Sequence, residues 1–125
     1  RLSLVGSEMC IRDSNSPLWF FENNQLIEIK GNKQPIGKSD MRNPFTTHTI
    51  EHKTGMLFYL FTDGYSDQFG GPKGKKLKDK PFQEILLSVL RNDSLSQKKE
   101  LNTAFESWRG KLEQVDDVCV IGITI

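Results

Sequence analysis

The sequence predicts an α+β domain in which strands come first, two helices follow and one strand closes the chain. Three patterns support this prediction. A short apolar run (SPLWFF) and an alternating segment (QLIEIKG) flank a turn, so Leu18 to Ile29 is a predicted hairpin, and Met56 to Thr62 is apolar on both faces, as a central strand is. The apolar residues from Phe82 to Leu90 repeat with a helical period. This order of elements is typical of α+β proteins.

Residues that favour turns and loops separate the predicted strands. Asn23 and Asn24 divide the hairpin, and Gly31 to Asn43 is a predicted loop rich in Gly, Lys, Asn and Asp. Thr46 to His52 alternates again, which predicts a third strand before the central one. The last segment, Asp117 to Ile125, is rich in Val and Ile and predicts the closing strand.

Two amphipathic helices are predicted between the central strand and the last one. The apolar stripe of the first consists of Phe82, Ile85, Leu86, Val89 and Leu90. The second helix has capping-box spacing at Ser94 and Gln97 and a stop signal at Gly110. Its apolar stripe consists of Leu101, Phe105, Trp108 and Leu112.

Composition narrows the classes of function. The chain has 125 residues, which fits one domain, and its hydrophobic content of 36% and charged content of 26% are typical of soluble proteins. It contains no apolar run of about 18 residues that could span a bilayer. A net charge of +1 gives no reason to expect nucleic acid as a partner. The two cysteines are far apart and form no CxxC pair, so a reducing, cytoplasmic location is expected.

The first 14 residues do not fit the rest of the chain. RLSLVGSEMCIRDS has neither helical nor strand periodicity, and it lacks the long apolar segment of a secretory signal. It resembles adaptor sequence translated at the ends of reading frames from environmental sequencing. We therefore expect residues 1–14 to be non-native or disordered and residues 15–125 to form the domain. On this interpretation the natural protein extends further towards its N-terminus.

Two acidic turns carry the candidate chemistry. Thr62, Asp63 and Gly64 end the central strand, and Val115 to Asp117 opens the final strand. If these strands are neighbours, Asp63 and Asp116 lie within a few ångströms of each other. Two such charges about 5 Å apart, at an effective dielectric constant of about 20, repel by about 3 kcal/mol, and a divalent cation between them turns repulsion into attraction.

Carboxylate oxygens suit Mg²⁺ or Mn²⁺, whereas Zn²⁺ or Cu²⁺ prefer His and Cys ligands. Gly64 after Asp63 lets the backbone bend away and leaves room for metal and water. The alternative is that Asp63 and Asp116 are turn or cap residues, as most aspartates in Asp-Gly pairs are.

Two stretches resemble one known family. They are FTDGYSDQFGGPKGKK and, after the two amphipathic helices, LEQVDDVCVIGITI. The family is that of the type 2C (PPM-type) protein phosphatases, in the bacterial branch typified by stage II sporulation protein E. NSPLWFF and QPIGK also resemble that branch, so the resemblance covers almost all of Asn15 to Ile125. It implies that the chain is the C-terminal half of an antiparallel β-sandwich flanked by helices (α-β-β-α), and that it lacks the N-terminal half.

The resemblance implies a metal-dependent protein serine/threonine phosphatase in which two Mn²⁺ or Mg²⁺ ions activate a bridging water, so that no side chain acts as nucleophile. Asp63 matches the acid of the family's TDG or SDG motif, and Asp116 matches its last metal-binding aspartate. Gly64 and Asp117 would support the site, with Asp117 where many relatives carry Asn. The family's first metal-binding motif, DG or DxxGHG, belongs to the missing half. We therefore expect the full-length parent to be the enzyme and this chain alone to be inactive.

The implied partner is a phosphoprotein, which in this branch is often a phosphorylated anti-sigma-factor antagonist in bacterial signalling. In the predicted loop Asp67 to Lys78, the side chains of Lys73, Lys75 and Lys76 could steer such a substrate, or could simply be solvated. No nucleic-acid partner is expected. The alternative from another class is a non-catalytic phosphatase-like module that binds a partner through its sheet edge or this loop.

We expect deletion of residues 1–14 to leave the melting temperature unchanged or higher, because a segment outside the domain contributes no buried contacts. Thermal unfolding of the chain with and without these residues measures the effect. A loss of several degrees on deletion would show that the segment is native structure.

Overall fold

The computed structural model describes residues 16–33, 43–51 and 53–125 of the chain. Within these ranges the chain forms six strands and three helices. In chain order they are β1 (Leu18–Glu22), β2 (Gln25–Ile29), β3 (Leu57–Phe61), α1 (Gly64–Asp67), β4 (Phe69–Gly70), β5 (Lys75–Lys76), α2 (Asp79–Val89), α3 (Ser94–Arg109) and β6 (Val120–Thr124).

Four strands form one antiparallel sheet in the order β2-β1-β3-β6. The predicted α+β class is therefore confirmed, and the apolar run from Met56 to Thr62 contains a strand, β3, that lies between β1 and β6 as predicted. β4 and β5 form a separate two-stranded ribbon. This ribbon lies in the segment Asp67 to Lys78, for which the sequence predicts a loop.

The β1–β2 hairpin turns at two asparagines in the left-handed region. The φ angles are 52° at Asn23 and 61° at Asn24, and Glu22 pairs with Gln25 across them. Two central residues with positive φ give a turn whose twist matches that of the strands, and Asn tolerates this conformation better than most residues. The hairpin predicted from Leu18 to Ile29 is confirmed.

Helices α2 and α3 cover one face of the sheet with a core rich in aromatic rings. Phe82 of α2 is fully buried, and its ring stacks on that of Tyr65 with centroids 4.3 Å apart. Each fully buried side chain of this size contributes about 1.5–3 kcal/mol to stability. The buried members of this core are Trp19, Phe21, Leu57, Tyr59, Tyr65, Leu77, Phe82, Leu86, Val89, Leu101 and Phe105.

The two ends of α3 differ in how well the sequence predicts them. The predicted cap at Ser94 is wrong, because Asp93 is the N-cap and its carboxylate accepts a hydrogen bond from Ser96 N at 2.9 Å. Gln97 is instead a buried residue of α3, and its side-chain oxygen accepts a hydrogen bond from the Tyr59 hydroxyl. Gly110 ends the helix as predicted, with a φ of 58°. At 16 residues α3 is the longest helix in the described ranges, where no helix is long and apolar enough to cross a membrane.

The third strand, predicted from Thr46 to His52, is wrong for the described part of that segment. Residues 43–51 have no regular secondary structure, and His52 lies outside the described residues. A strand forms only where its backbone pairs with a neighbour, and residues 43–51 pair with neither edge strand of the sheet, β2 or β6. Ile50 is the member of this segment that packs on the sheet, beside Phe20, Met56 and Phe58.

The face of the sheet opposite the helices is only partly covered by the described residues. Phe20 and Phe58 are buried there, but Leu60 is 43% exposed, Ile121 49% and Ile123 45%. The sequence predicts cover on both faces of β3, and the helices provide it on one. A sheet with helices on one face and an open apolar face on the other corresponds to one α-β half of the predicted sandwich.

Candidate metal centre

The first acidic turn directly follows β3. Asp63 is exposed and occupies the N-cap position of α1, yet its carboxylate accepts no cap hydrogen bond. The turn is held by the backbone instead, since Asp67 N donates to Asp63 O at 2.8 Å. The alternative that Asp63 is present as a cap residue requires a side-chain hydrogen bond that is not formed. The carboxylate is therefore free to bind something else.

Thr62 ties this turn to the second acidic turn. Its hydroxyl donates to Asp117 O at 2.8 Å and accepts from Cys119 N at 2.9 Å, and its backbone N donates to Cys119 O at 3.0 Å. These bonds extend the β3–β6 ladder beyond its last pair, Phe61 with Val120. The predicted proximity of the two turns is therefore present in the backbone. That the carboxylates of Asp63 and Asp116 converge stays a prediction.

Gly64 is required here for a reason other than the predicted one. It is buried, its φ is not positive, and a Cβ added to it would overlap the carbonyl oxygen of Asp117 and lie 3.3 Å from Val118 Cγ2. Glycine thus allows the start of α1 to pack directly on the start of the final segment. That Gly64 also lets the backbone bend away and leaves room for metal and water stays a prediction.

Asp116 and Asp117 are both exposed in a segment without regular structure. Asp116 Oδ1 accepts a hydrogen bond from Asp117 N at 2.8 Å, and Asp116 O accepts one from Gln114 Nε2 at 2.9 Å. The first bond fixes one carboxylate oxygen of Asp116 against its own backbone. The second carboxylate oxygen accepts no hydrogen bond from the described chain and can bind a cation.

The donor chemistry of these turns suits a hard divalent cation, but the number of donors is small. Asp63, Asp116 and Asp117 offer carboxylate oxygens of the kind that Mg²⁺ and Mn²⁺ prefer. In the described ranges, however, no group of three or more His, Cys, Asp or Glu side chains could hold a metal ion. The described residues therefore supply at most part of a metal centre.

The three lysines proposed to steer a substrate differ in their contacts. Lys76 Nζ forms an ion pair with Asp67 Oδ2 at 2.8 Å and lies 5.8 Å from the centre of the Phe69 ring. Its positive charge is thus partly neutralised by Asp67 at the end of α1. Lys73 and Lys75 are exposed, and their side chains form no hydrogen bond or ion pair within the described part of the chain. A steering role for them stays a prediction.

Sequence reasoning missed Gln68, whose side chain links the segment that follows Asp63 to the segment that precedes Asp116. Gln68 is completely buried, and its Nε2 donates to Glu113 O at 2.9 Å, three residues before Asp116. Its backbone oxygen accepts a hydrogen bond from Trp108 Nε1 at 2.9 Å. A single polar residue between Asp67 and Phe69 gives no periodic signal of burial, so nothing local in the sequence indicates this role.

Comparison with known proteins identifies the family. A sequence profile of the stage II sporulation protein E (SpoIIE) family matches residues 8–125. The chain belongs to the SpoIIE family. Membership agrees with the resemblance carried by the TDG and VDD motifs. The SpoIIE match begins at residue 8, inside the segment 1–14 that is predicted to be non-native, and deletion of that segment tests this prediction. No curated protein sequence matches the chain.

Solved structures of PP2C phosphatase domains share the fold. The SiaA-PP2C domain of Pseudomonas aeruginosa matches with a TM-score of 0.79 and 23% identity, covering 90% of this chain and 44% of that one. The PP2C phosphatase domain of the cell fate determinant SpoIIE from Bacillus subtilis, solved with a fragment of its regulatory domain, matches with a TM-score of 0.67 and 19% identity, covering 90% of this chain and 32% of that one. The chain thus spans less than half of each of these two solved chains.

We expect Asp63→Ala and Asp93→Ala to differ in stability, because only Asp93 caps its helix with its side chain. Loss of the hydrogen bonds to Ser96 in Asp93→Ala lowers the melting temperature by a few degrees, whereas Asp63→Ala changes it by about one degree or less. Thermal unfolding of both variants at neutral pH measures the difference. Equal losses would show that Asp63 is a structural cap.

Because of these hydrogen bonds, the difference in stability between wild type and Asp93→Ala depends on pH. The side-chain and backbone bonds from Ser96 lower the pKa of Asp93 in the folded chain. The stabilisation is therefore present above the pKa of the unfolded chain and is lost as the pH falls through the folded one. The difference between wild type and Asp93→Ala should shrink in acid.

Proposed function

We propose that the chain is part of a metal-dependent protein serine/threonine phosphatase domain whose ions are held in part by Asp63 and Asp116. The observation that supports this most is the contact of Thr62 with Asp117, because it brings together the two backbone segments that carry these carboxylates. Family membership supports the phosphatase class. The substrate class, metal and cellular role are parts of the proposal.

Five of the six residues of the two turns have a role in this proposal. Asp63 and Asp116 bind the metal ions. Thr62 holds the two backbone segments in register, and Gly64 lets these segments approach each other closely. Asp117 contributes its backbone carbonyl to that register and a further carboxylate nearby. Mn²⁺ or Mg²⁺ ions, two in the complete domain, would supply an activated water and neutralise charge on the phosphoryl oxygens.

The proposed substrate is a phosphoserine or phosphothreonine protein, such as an anti-sigma-factor antagonist in bacterial cytoplasmic signalling. Lys73 and Lys75 are free to attract its phosphate group over the distance of about a Debye length. Lys76 contributes less because Asp67 already neutralises it. Because the chain spans less than half of the two solved chains that contain PP2C domains, remaining ligands are expected from residues of the parent that this chain does not include.

Two observations favour a second candidate, a non-catalytic interaction module. The described residues lack a three-ligand group for a metal ion. They also leave Leu60, Ile121 and Ile123 exposed on the open face of the sheet, where a protein partner could bind. Metal-dependent turnover by the parent distinguishes the enzyme from the module.

We expect no appreciable phosphatase activity from the 125-residue chain and Mn²⁺- or Mg²⁺-dependent activity from a longer parent chain. In the parent, Asp63→Asn and Asp116→Asn remove a ligand charge at nearly constant shape and should lower kcat/KM by more than about a hundredfold, since losing residues that merely orient ligands already costs ten- to a hundredfold. Phosphopeptide turnover with metal, and with chelator added, measures this.

The control is Asp79→Asn, which removes an exposed carboxylate in the first turn of α2. It should leave turnover within about twofold of wild type, because the charge it removes lies outside both acidic turns. A parent chain that is inactive with both metals, or one that is as active with Asn at positions 63 and 116, would contradict the proposal and favour the interaction module.

A further inference from the structure

The segment that carries Asp116 has no regular structure of its own. From residue 113 to residue 119 the backbone belongs to neither a helix nor a strand, and residues 111–117 are exposed. Burial does not fix the position of such a segment. Whatever sets the place of Asp116 relative to Asp63 must therefore come from specific contacts.

Two side chains supply these contacts, and both come from the segment that carries Asp63. At one end Thr62 Oγ1 donates to Asp117 O at 2.8 Å. At the other end Gln68 Nε2 donates to Glu113 O at 2.9 Å. The pentapeptide 113–117 is thus held at both ends by the heptapeptide 62–68. The two segments run in opposite directions, because the first residue of one contacts the last residue of the other.

The side chain of Gln68 acts as a hydrogen-bond donor held in a fixed position, and its role is not simply to fill space in the core. It is fully buried, and its Nε2 also donates to Phe69 O at 2.9 Å, so both amide protons point to carbonyl oxygens. Its Oε1 is buried without a partner in the described chain. Leaving a buried acceptor unpaired costs about 1–3 kcal/mol, so the side chain is held there for its donors and not for its burial.

The backbone of Gln68 is held as firmly as its side chain. Its carbonyl oxygen accepts hydrogen bonds from Leu77 N at 3.0 Å and from Trp108 Nε1 at 2.9 Å. The carbonyl of Trp108 in turn accepts a bond from Gly71 N at 2.8 Å. Gln68 is therefore anchored to the ribbon and to the end of α3 at once. A rigid anchor of this kind can transmit its position to the segment it holds.

We propose that Thr62 and Gln68 are positioning residues that fix Asp116 opposite Asp63 by holding the 113–117 segment at its two ends. The inference rests on the proposed metal centre and deepens it. Neither residue binds the cation. Removing either one lets the Asp116 segment move, so cation binding at Asp116 weakens while Asp63, which is held by α1 and β3, keeps its place.

The experiment is a Mn²⁺ titration of the 125-residue chain followed by NMR, in which the paramagnetic ion broadens the amide signals close to it. Gln68→Met removes the donor at nearly constant length, and Thr62→Val removes the hydroxyl at nearly constant volume. Each has a matched control. Gln97→Met changes the other glutamine that is buried among the described residues, which contacts Tyr59 and Asn92, and Thr103→Val removes a hydroxyl that donates within α3.

In wild type we expect broadening of the amides of Asp63, Gly64, Asp116 and Asp117 at the same Mn²⁺ concentration. In Gln68→Met and Thr62→Val the signals of Asp116 and Asp117 should need about tenfold more Mn²⁺, whereas those of Asp63 and Gly64 should change less. Both controls should stay within about twofold of wild type at all four amides. A role in stability alone would shift all four signals together.

The outcomes separate the inference from the proposed function. Wild-type spectra without broadening at either turn would contradict the metal centre itself. Wild-type broadening at both turns with unchanged patterns in Gln68→Met and Thr62→Val would overturn the positioning roles alone. Loss of the folded spectrum in Gln68→Met would make Gln68 a folding residue and would likewise overturn its role, leaving Thr62→Val to decide that of the other end.

Discussion

The hydroxyl of Thr62 holds the two halves of the candidate site together. It donates to Asp117 O at 2.8 Å and accepts from Cys119 N at 2.9 Å, so one side chain continues the β3–β6 pairing where the backbone ladder ends. A net contribution of about 1 kcal/mol is typical for such a bond. Its importance lies in its place, because it lets two strand ends leave the sheet side by side and carry acidic residues with them.

The core beneath the site supports this junction. Tyr65, two residues after Asp63, stacks on Phe82 and donates its hydroxyl to Leu101 O at 2.8 Å. Burial raises the pKa of Tyr65 to about 12, so the hydroxyl stays protonated and keeps this bond over the physiological pH range. α1 is only four residues long. The contacts of Tyr65 with both large helices, rather than helix propensity, therefore hold the turn after Asp63 in place.

Local patterns predicted the elements, and long-range contacts decided the rest. The hairpin at Asn23 and Asn24 and the stripe of α2 follow from residues that are neighbours in sequence, and the two acidic turns were recognisable as motifs. The predicted strand is wrong for residues 46–51, because alternation of apolar and polar residues does not show whether a segment pairs with another strand. Gln68 was missed because its burial depends on Glu113 and Trp108, which are distant in sequence. Convergence of the two carboxylates depends on such contacts too.

The central claim is that the two acidic turns form parts of one cation site, and anomalous diffraction tests it most directly. Crystals of the chain, or of a longer parent, would be soaked in MnCl₂ and measured at a wavelength where manganese scatters anomalously. The account predicts an anomalous peak within coordination distance of carboxylate oxygens of both Asp63 and Asp116, at about 2.0–2.4 Å. Side chains that point to opposite ends of the sheet, with manganese elsewhere or absent, would contradict it.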